Sequence, residues 1–99
     1  MNVADPTLAL LRALAASGPG FAVRSASSRG WASATFTGDR HVMVVEAADT
    51  PVLAAWLNTL AEAEWTLPRL LVADLAVTAV SRADGRARVT IEALTLDRG

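Results

Sequence analysis

The sequence predicts an α+β fold, one antiparallel sheet with two helices on one of its faces, and three observations carry that reading. Two segments open on a polar residue followed by proline and continue with apolar residues at helical spacing: Asp5-Pro6 and Thr50-Pro51. Each is followed by stretches that alternate or are rich in β-branched residues. Asp84-Gly85 lies between the last two of these stretches and is a strong hairpin signal.

Taken in order, Asp5 is a strong helix N-cap, and Pro6 at the first helical position sacrifices no hydrogen bond. Leu8, Leu11 and Ala15, flanked by Leu10 and Leu14, then supply the predicted buried stripe, and Ser17-Gly18-Pro19-Gly20 ends the helix. Phe21, Val23 and Ser25 alternate with Ala22, Arg24 and Ala26 at the period of a half-buried strand. Ser28-Arg29-Gly30 reads as a turn, and so does Thr37-Gly38-Asp39-Arg40. The residues between them form either an extra strand near 31–37 or part of one long, bulged ribbon. His41 to Ala47 is a clear strand.

The second helix starts at Thr50-Pro51. Leu53, Trp56, Leu57 and Leu60 fall at i, i+3, i+4 and i+7, with Asn58, Glu62 and Glu64 on the other side. Trp56, Leu57 and Leu60 are the expected core anchors, with Trp56 holding the helix on the sheet. Leu67-Pro68 breaks the helix, because proline disfavours helical geometry in the residue before it. Trp65 is expected to pack beside these two residues. Residues 69–80 and 86–96 then form two strands.

The register of this hairpin decides which side chains are buried. A two-residue loop at Asp84-Gly85 sets Val77 opposite Glu92 and Ala79 opposite Thr90, mixing polar with apolar. A three-residue loop, Ala83-Asp84-Gly85, pairs Val77 with Ile91 and Ala79 with Val89, and is preferred. It places Leu75, Val77, Ala79, Val89 and Ile91 under the helices. Val72, Val80, Leu94 and Leu96 are left on the opposite face, with Val42 and Val44. An αββ unit used twice closes most naturally into a ferredoxin-like αββαββ sandwich, circularly shifted.

Composition narrows the function classes. A chain of 99 residues is a single domain (1–99), and 53% hydrophobic against 19% charged residues leaves apolar surface for an interface. The net charge of −1 argues against nucleic acid as a partner, since binding it depends on clustered cations. All nine basic residues are arginine, which we read as codon bias. Cysteine is absent, which excludes disulfides, thiolate nucleophiles and Cys-based metal sites. No stretch approaches the roughly 18 apolar residues of a membrane span, and the first 16 residues lack the basic start of a signal peptide.

The search for chemistry yields little. His41 is the only histidine, so a triad, a His-based metal site or a proton relay would have to include it. It sits within the predicted strand beside Met43 and Val45, where a structural role is the simpler account. Glu46, Asp49, Glu62 and Glu64 read as solvated carboxylates. Gly18-Pro19-Gly20 follows a helix and precedes a strand, the reverse of a phosphate-binding loop. No catalytic, cofactor-binding or metal-binding residue is predicted, and no cofactor.

The stretch PVLAAWLNTL, followed by LPRLLVADLAVTA and DGRARVTIEAL, resembles the C-terminal periplasmic domain of the type II secretion system protein M family. Trp56, Leu57 and Leu60 match that family's WLxxL pattern. The first half, LALLRALAASGPGFAV and HVMVVEAAD, is also similar, so the resemblance covers nearly the whole chain. The related pilus-assembly protein O family, with the same αββαββ arrangement, is the second choice. The resemblance implies a ferredoxin-like domain on the periplasmic side of the bacterial inner membrane, with no enzymatic activity. It further implies that the domain homodimerises and pairs with a protein L partner in the secretion platform. Family members carry a membrane helix before this domain, and the expectation is that the anchor lies outside this chain.

Two functional expectations follow. The first is an interaction domain whose partner surface includes Val72, Val80, Leu94, Leu96 and Trp31, since large apolar patches mark interfaces. The alternative is a dimeric ferredoxin-like enzyme or small-ligand-binding domain, with a pocket near Trp31, His41 and Trp56.

Overall fold

A computed structural model describes residues 5–98 of the chain. Helix α1 (Pro6–Ser17) is followed by strands β1 (Ala22–Ala32) and β2 (Thr37–Ala48), and helix α2 (Pro51–Thr59) by β3 (Thr66–Leu67), β4 (Leu70–Ala83) and β5 (Arg86–Asp97). The five strands form one antiparallel sheet in the order β1-β2-β5-β4-β3. The fold is α+β, as the sequence predicts.

Both helix starts form as expected. The Asp5 carboxylate accepts from the backbone N–H groups of Thr7 and Leu8, and the Thr50 hydroxyl accepts from that of Leu53 at 3.1 Å. Each satisfies donors that the first helical turn leaves without partners. The buried stripe of α1, however, is Thr7, Leu10 and Leu14, whereas the predicted Leu8 is 44% exposed. The stripe is rotated because Thr7 turns inward to a histidine partner. Helix α2 is shorter than predicted: it closes at Leu60, and Glu62 and Ala63 continue only as turns bonded to Thr59 and Leu60. The break therefore comes before Leu67-Pro68. Leu67 pairs with Leu70 instead, and Pro68-Arg69 makes the turn between β3 and β4.

No separate strand exists at 31–37. Ser28-Arg29-Gly30 and Thr37-Gly38-Asp39-Arg40, both read as turns, lie within β1 and β2, which pair continuously from Ala22↔Glu46 to Ala32↔Thr37. The true turn is Ser33–Phe36, where the Ser33 hydroxyl accepts from the N–H groups of Thr35 and Phe36. A bulge at Arg24 breaks the predicted alternation of residues 21–27.

The β4–β5 hairpin corrects the predicted register in an instructive way. The turn is the two-residue loop, with Ala83↔Arg86 closing it and both Asp84 (φ 55°) and Gly85 (φ 74°) left-handed. Ala79 consequently faces Thr90. A bulge at Thr78 then moves the register by one, so Val77 meets Ile91 as preferred, and a second bulge at Ala73 moves it again. These shifts turn Val80 toward buried Val89 and Val72 toward buried Thr95. Both had been expected on the opposite face, and Ala79 under the helices. Bulges reverse the side-chain parity beyond them, which alternation alone does not foresee.

One core results. Leu10 and Leu14 of α1 and Leu53, Trp56 and Leu60 of α2 cluster with Met43, Val45 and Ala47 of β2, Leu75 of β4 and Ala87, Val89, Ile91 and Ala93 of β5. Leu57, Val72 and Val77 pack against it partly buried. The sheet therefore has a helix-side face and an open face.

Candidate interaction surface

The register sets the open face in cross-strand rows. One row runs Arg29 (β1), Arg40 (β2), Leu94 (β5), Asp74 (β4); the next runs Ser27, Val42, Glu92, Ala76. Beyond them Trp31, Gly38, Leu96 and Leu71 form a third. Apolar residues thus occupy much of β2 and β5, with Val42 40% exposed and Leu94 and Leu96 half-buried. Charges flank them: Arg29 and Arg40 on β1 and β2, Asp74 and Glu92 on β4 and β5, and the Glu46–Arg88 pair between β2 and β5. The concavity between these groups encloses about 530 Å³.

Of the predicted partner residues, Leu94, Leu96 and Trp31 share this open face. Val72 and Val80 lie on the helix side. The Trp31 ring is half-buried, and its Nε1 has no acceptor among the described residues; the same is true of Trp65, which packs partly buried against the core. Strand β1 is the sheet edge and is exposed along nearly its whole length, so its outer backbone groups have no neighbouring strand.

His41 lies on the helix side, sealed at 1% exposure. Its Nδ1 is 2.8 Å from the Thr7 hydroxyl on α1, and its Nε2 is 2.8 Å from the Thr95 hydroxyl on β5. Thr95 in turn donates to the Asp39 carbonyl at 3.5 Å. One tautomer completes this chain: Thr7 donates to Nδ1, Nε2–H donates to Thr95, and Thr95 donates onward. Burial pushes the imidazole below its ordinary value of 6.5, against the opposing pull of the Asp39 and Asp5 carboxylates. A neutral ring with both nitrogens engaged and no path to solvent pins α1 to the sheet.

Trp56 is held at the other end of α1. Its Nε1 donates to the Ser17 hydroxyl at 3.0 Å, Ser17 donates to the Leu14 carbonyl, and the ring stacks on Phe21 with centroids 5.9 Å apart. It fastens α2 to the end of α1 as well as to the sheet, more than its helical spacing implies. The predicted pocket of Trp31, His41 and Trp56 does not form: Trp31 is on the open face, and the other two are separated by the length of α1.

A cavity of about 710 Å³ lies between α1 and the β3–β4 turn, lined mainly by Ala9, Ala13, Leu67, Pro68 and Leu70. Among the described residues no group of three His, Asp or Glu side chains is placed to hold a metal ion. No helix among the described residues is long and apolar enough to cross a membrane. Among the described residues Glu46 is the one multiply paired carboxylate: Arg88, with Arg86 and Arg24, lies within ion-pair distance and holds its carboxyl below the ordinary range.

Comparison with known proteins returns nothing to set beside this geometry: no family model, no curated protein and no solved structure matches the chain.

The sequence reading missed the partners of His41. Thr7 and Thr95 are the polar members of otherwise apolar series (Thr7, Leu10, Leu14 and Val89, Ile91, Ala93, Thr95), and such an exception is the signal that could have found them. It also missed the gathering of Arg29, Arg40, Asp74 and Glu92, because Arg29 and Arg40 were assigned to turns.

Proposed function

We propose that this chain is a non-catalytic interaction domain of circularly permuted ferredoxin-like αββαββ layout. It homodimerises and pairs with a protein L-type partner in the inner-membrane platform of a type II secretion system, on the periplasmic side. The observation that carries the reading is the open sheet face: no helix covers it, and its half-exposed Val42, Leu94 and Leu96 stand inside a rim of charges, the anatomy of an interface with an apolar centre and a polar margin. Two further features support it. With the two-residue β3 set aside, the order β1-β2-β5-β4 is what an αββ unit used twice produces when its two hairpins lie side by side, joined through β2 and β5. The lone histidine is committed to holding a helix, and Trp31, His41 and Trp56 do not converge.

Sedimentation at micromolar concentration and titration with the periplasmic domain of a protein L-type protein test this. The expected result is self-association and partner binding, both weakened in Leu94→Asp and Leu96→Asp variants that unfold like the parent. A strict monomer that ignores the partner, or substitutions without effect on either association, overturns the proposal.

A further inference from the structure

We infer that the groove between α1 and the β3–β4 turn binds a small amphipathic carboxylate, of the chemical class of straight-chain fatty acids. Arg12 and Arg69 hold its head, and its tail lies against Ala9, Ala13, Leu67 and Leu70. The groove is on the helix side of the sheet, away from the open face, so it stands independently of the interface proposed above.

Side-chain size makes the groove. Leu10 and Leu14 of α1 fill the space above the sheet, whereas Ala9 and Ala13, one turn apart on the adjoining face, leave a gap before the β3–β4 turn. Leu67 and Leu70, both buried, form its floor. The space of about 710 Å³ falls in the range of small-molecule sites, which combine apolar walls with a few convergent polar groups. Here the polar groups are Asp5, Arg12 and Arg69, all exposed at the rim. The Asp5 carboxylate is engaged in capping α1, where it accepts from the N–H groups of Thr7 and Leu8. Among the described residues neither arginine enters an ion pair. A carboxylate matches the guanidinium fork in shape as well as in charge.

The backbone of Arg69 is the second observation. Pro68 and Arg69 are the two residues of the turn closed by Leu67↔Leu70, and Arg69 has φ 62°. A turn with proline first and a left-handed residue second takes glycine or asparagine at the second place. Asp84 is the other described non-glycine residue with positive φ, and its short side chain can bond locally to offset the strain. Arginine has no such compensation. The Arg69 carbonyl accepts from the Arg98 N–H at 2.9 Å, which holds the strained turn in place. Strain of this kind gathers at ligand sites. What arginine supplies there, and glycine would not, is a guanidinium at the rim of the groove. Arg12 brings a second one from α1, so a carboxylate head meets cations from two elements while a cationic amphiphile meets repulsion.

Titration of the folded chain with octanoate, followed by nuclear magnetic resonance of the backbone amides, tests the inference. Saturable shifts are expected at Ala9, Ala13, Arg69 and Leu70, with a Kd of the order of 1 mM for a ligand of about ten non-hydrogen atoms. Decanoate should bind several-fold more tightly, because its two added methylenes are buried. Acetate and octyltrimethylammonium at the same concentrations should leave these amides unmoved. Arg12→Gln/Arg69→Gln, and Ala13→Leu, which fills the groove, should each weaken octanoate binding several-fold; if Ala13→Leu fails to fold, the arginine double variant carries the comparison. Arg69→Gly separates the guanidinium from the turn: it should keep or raise the urea midpoint, since strain is relieved, and still weaken octanoate several-fold. No saturation by about 10 mM octanoate, ten times the expected Kd, overturns the site. So do shifts confined to other surfaces, an equal response to octyltrimethylammonium, or an Arg69→Gly variant that binds like the parent. A lower midpoint in Arg69→Gly would show that the arginine serves the turn itself, and overturns the placement of the head group there.

Discussion

The indole of Trp56 occupies the space that a side chain on Gly18 would need: a Cβ built there runs into the ring. Gly18 has φ −144°, extended backbone open to any residue, so the demand for glycine is a demand for room. Gly18→Ala is expected to destabilise the fold by about 1–3 kcal/mol through overpacking, and Trp56→Ala by about 3–5 kcal/mol. In the Trp56→Ala background the alanine at 18 should cost almost nothing. Urea midpoints of the four proteins in this cycle check the coupling; additive losses refute it.

His41 makes stability depend on pH. Its folded-state pKa lies below the unfolded value of about 6.5, so over that interval the unfolded chain binds more protons. Stability is therefore expected to be full above pH 7 and to fall as pH drops through 6.5 toward the folded pKa. Glu46 acts in a separate, lower window, because its carboxyl is held below the ordinary range and its contribution is lost only as pH falls below about 4.5. Unfolding midpoints between pH 7.5 and 5 should decline for the parent chain and flatten in His41→Gln.

Removing a partner from the buried histidine should cost more than a surface change. Thr7→Val keeps the shape of the side chain but leaves Nδ1 without its donor, an expected loss of about 1–3 kcal/mol. The amides at the start of α1 should exchange faster in this variant than in the parent, because the pin joins that turn to β2 and β5. Equal protection there would mean that the Thr7–His41 bond does not hold the helix.

Gly38 pairs with Leu96 near the start of β2, and a Cβ on it would meet the Thr95 carbonyl, a backbone atom that cannot rotate aside. Gly38→Ala is expected to destabilise by about 1–3 kcal/mol. It should also disturb the neighbouring Thr95–His41 bond, visible as a shift in the His41 ring resonances. An unchanged midpoint and spectrum would refute the close approach.

At the tip of the long hairpin, Gly85 has φ 74°. Gly85→Ala is expected to lose about 1–2 kcal/mol, since a Cβ is disfavoured in the left-handed region. A change within a few tenths of a kcal/mol would show that the turn adopts another geometry.

The candidate surface was only partly legible in the sequence. Leu94, Leu96 and Val42 were assigned to the open face because β2 and β5 run without a bulge, and a strict period of two carries their parity from end to end. Val72 and Val80 were misplaced because β4 contains two bulges. Arg29 and Arg40 were hidden by turn-like neighbours, Ser28, Gly30, Gly38 and Asp39, which a long paired ribbon holds extended.

By itself the sequence determined what short-range chemistry decides: caps at Asp5 and Thr50, prolines that start helices, the strand from His41 to Ala47, the reversal at Asp84-Gly85, and hence the α+β class. Only the tertiary structure decided which face each β4 side chain takes, which stripe of α1 is buried, and what His41 and Trp56 hold together. The reason is physical. Caps and tight turns are satisfied by atoms a few residues away, whereas a bulge at Thr78 exists only against the backbone of β5, and the burial of Thr7 only against a histidine 34 residues on.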